Sequence, residues 1–292
     1  MRGFTSAALL VALTALAAPV AAQVPDVART PIDGVAISTD ERTADAAAIR
    51  AVDAEQWDDA LAGTLALVQR FGERPAYLAR LATIYNRLHR SADEVAQWER
   101  FMTVSPRPSQ ACPALGKAYR GLGQYEEAIG AFTRCLAADP QSALLVYYLG
   151  LGYEWAGDFG HARETYTRAI AMAPPGYEPR VSLARVNLHE NALTAARDGA
   201  AAVLAQVPTH VEAALVAGLA EQRAGHRVEA RKYLELAGKL SPEYFDVRLA
   251  LGILEYSEDH IPAARGHFEA AFLADPGRRA DVQAWLDRTA PK

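Results

Sequence analysis

The sequence lacks several features, and each absence excludes a class of protein. It has no basic excess, because 30 Lys and Arg residues stand against 35 Asp and Glu residues and give a formal net charge of -5. Binding to a nucleic-acid backbone is therefore not expected. The chain has only 20 Gly and 16 Pro among 292 residues, and 51% are hydrophobic, so it is neither collagenous nor disordered. Beyond the first residues, it also lacks an apolar run long enough to span a membrane.

The first residues have the pattern of a secretory signal peptide. Arg2 precedes an apolar run, residues 7–17, and small residues suited to signal peptidase end at Ala22. This run is shorter than the about 18 residues that a membrane anchor needs. We predict cleavage of residues 1–22 and export, with a periplasmic location favoured and an extracellular one left open. No cysteine precedes Cys112, which excludes a lipid at the new N-terminus.

A repeat of 34 residues begins after a segment, residues 23–40, that is predicted to be a flexible tether. Six prolines stand at this spacing, and chance would produce the five matches after the first with a probability on the order of one in a million. These prolines are Pro106, Pro140, Pro174, Pro208, Pro242 and Pro276. Residues 41–278 therefore divide into seven units, which begin at residues 41, 75, 109, 143, 177, 211 and 245.

Within each unit, the pattern predicts a hairpin of two helices. Place 8 of the unit is always small, as at Gly116, and place 24 is often bulky, as at Phe132, so that the large side chain fills the gap beside the small one. Glycines at place 15, such as Gly123, supply turns between the helices. The prolines at place 32 end the second helix, because proline lacks a donor and clashes with the preceding turn.

This pattern resembles the tetratricopeptide repeat. The signature places of that family hold Leu115, Gly116, Tyr119, Gly123, Tyr125, Ala128, Phe132 and Pro140. The resemblance implies an all-α, right-handed superhelix of about seven hairpins, with a concave groove lined by first helices. Residues 279–292 are predicted to form a capping helix and tail, because Val282, Trp285 and Leu286 share one face.

Catalytic motifs are missing. The sequence contains no HExxH, GxSxG or GxGxxG pattern and no phosphate-binding GxxxxGKS or GxxxxGKT pattern. His260 and His267 lie seven residues apart, but His260 falls at a turn and lacks a nearby series of acidic or cysteine ligands. We therefore predict no enzyme activity, no metal site and no cofactor.

The two cysteines, Cys112 and Cys135, lie at places 4 and 27 of one unit. In an antiparallel hairpin, the start of the first helix faces the end of the second helix. We predict a disulfide, because an exported location is oxidising and no other thiol competes. The alternative is a pair of small, reduced core residues.

A second stripe, at places 2, 5, 9 and 12 of the first helices, lies about 100° from the core stripe, and the resemblance assigns it to the groove. In the earlier units it is small or polar, with Lys117 and Arg120 placed to hold a carboxylate, although they do not reproduce the family's known carboxylate clamp. In later units it is apolar, and the predicted groove residues there are Tyr147, Leu151, Val181, Leu188, Leu215, Leu219, Leu249, Ile253 and Tyr256, flanked by Trp155, Arg185 and Arg223.

Contiguous exposed apolar surface usually marks an interface. We therefore expect the groove from residue 143 onward to take an apolar or amphipathic segment of another protein or of a second copy. The alternative is that tight curvature or the C-terminal segment buries these side chains.

The sequence favours a non-enzymatic binding scaffold of the cell envelope. Exported proteins similar to the family often serve the assembly of pili, surface polysaccharide or outer-membrane components, which is an analogy of fold. A self-associating structural protein, or an enzyme with an unrecognised groove site, is the alternative class.

Overall fold

The computed structural model of the protein describes residues 37–172 and 176–290. Regular structure in these residues is helical throughout, with fifteen α-helices, two short 3-10 helices and no strand. The described residues form two compact units, named here the N-terminal unit (37–172) and the C-terminal unit (176–290). The predicted all-α fold is confirmed. The predicted signal peptide and the tether up to residue 36 lie outside the described residues.

Four hairpins make up the N-terminal unit. Their helices are α1 (Thr39–Asp53) with α2 (Trp57–Phe71), α3 (Pro75–Arg87) with α4 (Ser91–Val104), α5 (Cys112–Gly121) with α6 (Tyr125–Ala138), and α7 (Ala143–Trp155) with α8 (Phe159–Met172). A 3-10 turn, Pro108–Ala111, precedes α5, so that helix begins late in its unit. Pro113 consequently falls in the first turn of α5, where the helix needs no donor.

Three hairpins and a final helix make up the C-terminal unit. Its helices are α9 (Glu178–His189) with α10 (Leu193–Gln206), α11 (Val211–Ala224) with α12 (Arg227–Leu240), α13 (Phe245–Ser257) with α14 (Ile261–Ala274), and then α15 (Arg279–Arg288). The last helix buries Val282 and Trp285 against α14. Among the described helices, none combines the length and apolar character needed to cross a membrane.

The ends of the second helices coincide with the repeating prolines. For example, α6 ends at Ala138 and α12 at Leu240, each two residues before a proline. The residue before a proline disfavours the helical conformation, and the proline itself offers no donor. The spacing of the prolines therefore determines where these helices stop.

The turn within every hairpin has the same backbone form. Place 15 adopts a left-handed conformation in all seven units, with φ between 55° and 84°. The residues are Glu55, His89, Gly123, Gly157, Asn191, Gly225 and Asp259. The turn that the glycines predict is thus kept where the sequence has no glycine, at some cost in local strain.

The predicted contact between places 8 and 24 is confirmed. A Cβ atom added at Gly116 would lie 1.9 Å from Cζ of Phe132, and one at Gly252 would lie 2.5 Å from Cε1 of Phe268. Both aromatic rings are buried. Only glycine allows the first helix to approach the ring this closely, so the small residue and the large one form a matched pair.

The predicted disulfide is also confirmed. Cys112 and Cys135 are bonded, with their Cα atoms 6.3 Å apart, inside the range usual for disulfides. Both residues are buried. The bond joins the start of α5 to the last turn of α6.

One carboxyl lies in the core of the second hairpin. Glu94 stands at place 20, where most units have alanine, and it is buried. Burial raises the pKa of the Glu94 carboxyl, and a hydrogen bond of 2.9 Å that Asn86 Nδ2 donates to Oε2 offsets the effect only in part. The charged form is therefore disfavoured in the folded state.

We expect Glu94→Gln to change how stability depends on pH. A carboxyl whose pKa is raised by folding contributes stability below its usual pKa, and this contribution is lost as the pH rises through the raised value. Glutamine stays neutral and keeps an oxygen for Asn86. The free energy of unfolding of the variant, measured with urea, should rise relative to that of the wild type as the pH increases above about 4, near the usual pKa of glutamate. If the difference in unfolding free energy between the variant and the wild type did not change with pH, burial of the Glu94 carboxyl would not disfavour its charged form.

Candidate functional site

The apolar half of the predicted groove is buried in the C-terminal unit. Val181, Leu188, Leu215 and Leu219 belong to one core cluster that draws side chains from α9 to α13. First helices of successive hairpins pack directly on one another here, α9 on α11 and α11 on α13. The prediction that this face is exposed is therefore wrong for these four residues, because each first helix covers the next.

At the end of the C-terminal unit, the final helix covers the remaining predicted groove residues. Leu249 and Ile253 are buried in a cluster with Phe268 and Trp285, and Tyr256 packs at its edge. The Trp285 ring lies 5.5 Å from that of Tyr256 and 5.4 Å from that of Phe268, measured between centroids. The alternative left open by the sequence, burial by the C-terminal segment, is correct at this end.

The predicted flanking cations are held within the C-terminal unit. Arg185 is buried, forms an ion pair with Glu212 and donates a hydrogen bond of 3.2 Å to Ser182 Oγ. Arg223 donates to the backbone carbonyl of Leu188 at 2.7 Å. These arginines join neighbouring helices, so their charges already serve the fold.

Two predicted groove residues of the N-terminal unit are buried as well. Tyr147 and Leu151 on α7 are almost inaccessible. The ring of Tyr147 lies 5.8 Å from the rings of Tyr148 and Tyr166. For these two residues also, the prediction of an exposed face is wrong.

The accessible part of the predicted groove is a cluster in the N-terminal unit that we call the cationic–aromatic patch, Lys117, Arg120 and Trp155. All three side chains are partly exposed. The guanidinium of Arg120 lies 5.2 Å from the centroid of the Trp155 ring, within the distance of a cation–π contact. The patch therefore joins residues of α5 to the last residue of α7.

Electrostatics within the patch favour an anion. Burial, and then the positive charge of Arg120, lower the pKa of the Lys117 ammonium group. Two cations one helical turn apart on α5 repel each other, and a carboxylate placed between them would relieve that repulsion. The patch is thus chemically suited to an acidic group.

An apolar residue that the sequence reasoning missed lies on the same stripe. Leu144, at place 2 of its unit on α7, is 54% exposed. It could have been found from the sequence, because place 2 belongs to the stripe that was assigned to the groove. Leu144 and Trp155 stand eleven residues apart on α7, which is about 16 Å along a helix. A partner segment that runs along α7 would therefore meet both apolar side chains.

One statement about histidine is wrong. Nδ1 of His260 lies 2.8 Å from Oε2 of Glu255 and 3.7 Å from Oε2 of Glu258. His260 is therefore not isolated from acidic residues. The turn after α13 brings places 11, 14 and 16 of the last unit together, and place 11 holds a glutamate where the third and fourth units have tyrosine.

Comparison with known families agrees with the repeats. The family described as Tetratricopeptide repeat matches residues 114–176 and 153–211. These ranges overlap and fall in the third to fifth units, which form three of the seven hairpins. Residues 114–211 belong to the tetratricopeptide repeat family, and the fold of the described residues is typical of non-catalytic scaffolds that bind other proteins.

Solved structures show the same fold. A tetratricopeptide repeat protein from Parabacteroides merdae is 14% identical, with a TM-score of 0.76, covering 86% of this chain and 99% of its own. PilW, described as a widely conserved type IV pilus biogenesis factor, is 18% identical, with a TM-score of 0.61, covering 73% and 98%. PilF of Pseudomonas aeruginosa is 15% identical, with a TM-score of 0.57, covering 73% and 97%. No curated protein sequence matches the chain significantly.

Proposed function

We propose that the protein is an exported, non-enzymatic scaffold that binds an acidic segment of a partner protein at the cationic–aromatic patch. The observation that carries this proposal is the partly exposed pair Lys117 and Arg120 beside the Trp155 ring. The partner segment would place a carboxylate between the two cations and an apolar side chain against Leu144. Charge-assisted hydrogen bonds of this kind are about twice as strong as neutral ones.

Two further observations support the export and envelope part of the proposal. The N-terminal pattern is that of a cleaved signal peptide, and the disulfide between Cys112 and Cys135 is of a kind that persists in oxidising compartments. The similar fold of PilW, a pilus biogenesis factor, agrees with a role in envelope assembly. By the same proposal, the protein neither inserts stably into a membrane nor binds nucleic acid.

The test reverses the two charges of the patch. With crosslinking in envelope extract, Lys117→Glu with Arg120→Glu should reduce recovery of the acidic partner at least about tenfold, because each lost charged hydrogen bond is worth about 1.5–3 kcal/mol. A matched control is Arg227→Glu with Lys232→Glu, which makes the same change in net charge at exposed positions of α12.

Two measurements on the same variants separate binding of a partner from self-association. Light scattering of each variant would reveal self-association, which the proposal does not require. Equal recovery by the patch variant and the control, with helical circular dichroism intact, would contradict the assignment of the patch. Leu144→Ser should give a smaller loss, since it removes only the apolar part of the contact.

A further inference from the structure

A second cluster of polar side chains lies in the C-terminal unit, at the turn between α13 and α14. It consists of Glu255, Glu258 and His260, whose ligand atoms all lie within 4.8 Å of one another. Glu255 is 8% exposed, whereas His260 projects from the turn and is exposed. The cluster therefore has a buried carboxylate at one end and an exposed imidazole at the other.

A neighbouring arginine holds the two carboxylates in place. Arg231 on α12 donates through Nη1 to Oε1 of Glu255 and through Nη2 to Oε2 of Glu258, each at 2.6 Å. Oε2 of Glu255 remains directed at His260 Nδ1, at 2.8 Å. The arginine thus occupies one oxygen of each carboxylate and leaves the other oxygen available.

We propose that Glu255, Glu258 and His260 bind a divalent transition-metal ion such as Zn²⁺. An imidazole nitrogen and carboxylate oxygens are ordinary ligands of Zn²⁺. Two ligand atoms, each about 2.0–2.1 Å from a tetrahedral Zn²⁺, lie about 3.3 Å apart. Nδ1 lies 2.8 Å from Oε2 of Glu255, somewhat below that value. Oε2 of Glu258, at 3.7 Å from Nδ1, is the oxygen that Arg231 holds, so Glu258 would coordinate the ion through its other oxygen.

Binding needs the partly exposed Glu258 carboxylate to present its other oxygen to the ion. The ion binds Nδ1 of the neutral imidazole, whose proton then lies on Nε2, and water completes the coordination. Arg231 keeps its hydrogen bonds to the two carboxylates and holds them in a fixed orientation beside the ion. Two carboxylates and one arginine leave a net negative charge for the cation to neutralise.

The preceding repeat offers a natural comparison, because it has the same arrangement with one ligand fewer. His226 Nδ1 lies 2.6 Å from Oε2 of Glu221, and Arg197 lies 3.7 Å from Oε1 of that glutamate. The residue that corresponds to Glu258 is Ala224. With only two ligands, this turn should bind Zn²⁺ much more weakly.

The test measures binding of Zn²⁺ to the untagged, chelator-treated full chain by competition with a chromophoric chelator. One ion per chain is expected. His260→Ala and Glu258→Gln should each weaken binding at least about tenfold, a loss usual for metal-site changes, whereas His226→Ala should leave binding unchanged. His260 is exposed and Glu258 is partly exposed, and circular dichroism checks that each variant keeps its helices.

Several results would overturn the proposal. One is the absence of Zn²⁺ binding by the wild type, which would leave the cluster as an ion-pair network alone. Another is equal affinity in the wild type and the His260→Ala variant. A third is an equal loss of binding in His226→Ala. The proposal requires the turn with three ligands to bind Zn²⁺ more strongly than the turn with two, and an equal loss would contradict that difference.

Discussion

Replacing Gly116 with alanine is expected to destabilise the protein by about 2–3 kcal/mol, although alanine normally stabilises a helix interior. The new Cβ would lie 1.9 Å from Cζ of Phe132. That ring cannot easily withdraw, because it is stacked on Tyr148 at 5.7 Å and lies 6.1 Å from Trp155. It is also enclosed from α7, where a Cβ at Gly152 would approach its Cδ2 to 3.3 Å.

The control for this prediction lies on the partner helix of the same hairpin. Gly130 is inside α6, and a Cβ there would have no atom within 4 Å. Gly130→Ala should therefore stabilise the protein by up to about 1 kcal/mol. Urea unfolding of both variants measures the two effects. If Gly116→Ala were neutral or stabilising, the close approach of α5 to the Phe132 ring would be wrong.

The hairpins could be predicted because each depends on residues close in sequence. The prolines at place 32, the left-handed residue at place 15 and the pairing of Gly116 with Phe132 all act within one unit. A period of 34 residues fixes them together. The disulfide between Cys112 and Cys135 follows from the same local geometry, since both ends of it belong to one hairpin.

The groove could not be predicted in the same way, because exposure of a first helix depends on its neighbours. Leu215 and Val181 both stand at place 5 of their units. That place does not reveal how closely α9 and α11 approach each other. The two helices pack directly on each other, and both side chains are buried in the core. Leu249 is buried in a cluster that includes Val282 and Trp285, which lie outside the repeats.

Charged residues were the least predictable part of the site. Arg185 was expected to flank a groove, but a glutamate of the next hairpin pairs with it. Glu255 and Glu258 stand near His260 only because the turn after α13 folds back, while Arg231 approaches from α12. Arg185 and Arg231 each pair with glutamates of the following unit, and the pattern of a single unit does not contain such pairs.

Removal of the disulfide is expected to destabilise the N-terminal unit by about 3 kcal/mol in the chain-entropy model. The bond closes a loop between residues 23 positions apart, and it restricts the unfolded chain by joining the two ends of one hairpin. The variant Cys112→Ala with Cys135→Ala is preferred to serine, because both positions are buried and a hydroxyl there would need a partner.

Urea unfolding of this variant, of oxidised wild type and of reduced wild type measures the contribution of the bond. We expect the reduced wild type to unfold close to the variant and well below the oxidised protein. Because both sulfurs are buried, reduction of the native protein should be slow until the hairpin opens. Thiol titration of the unfolded, unreduced protein provides the decisive control: no free thiol is expected, and two thiols per chain would show that Cys112 and Cys135 are merely neighbours in the core.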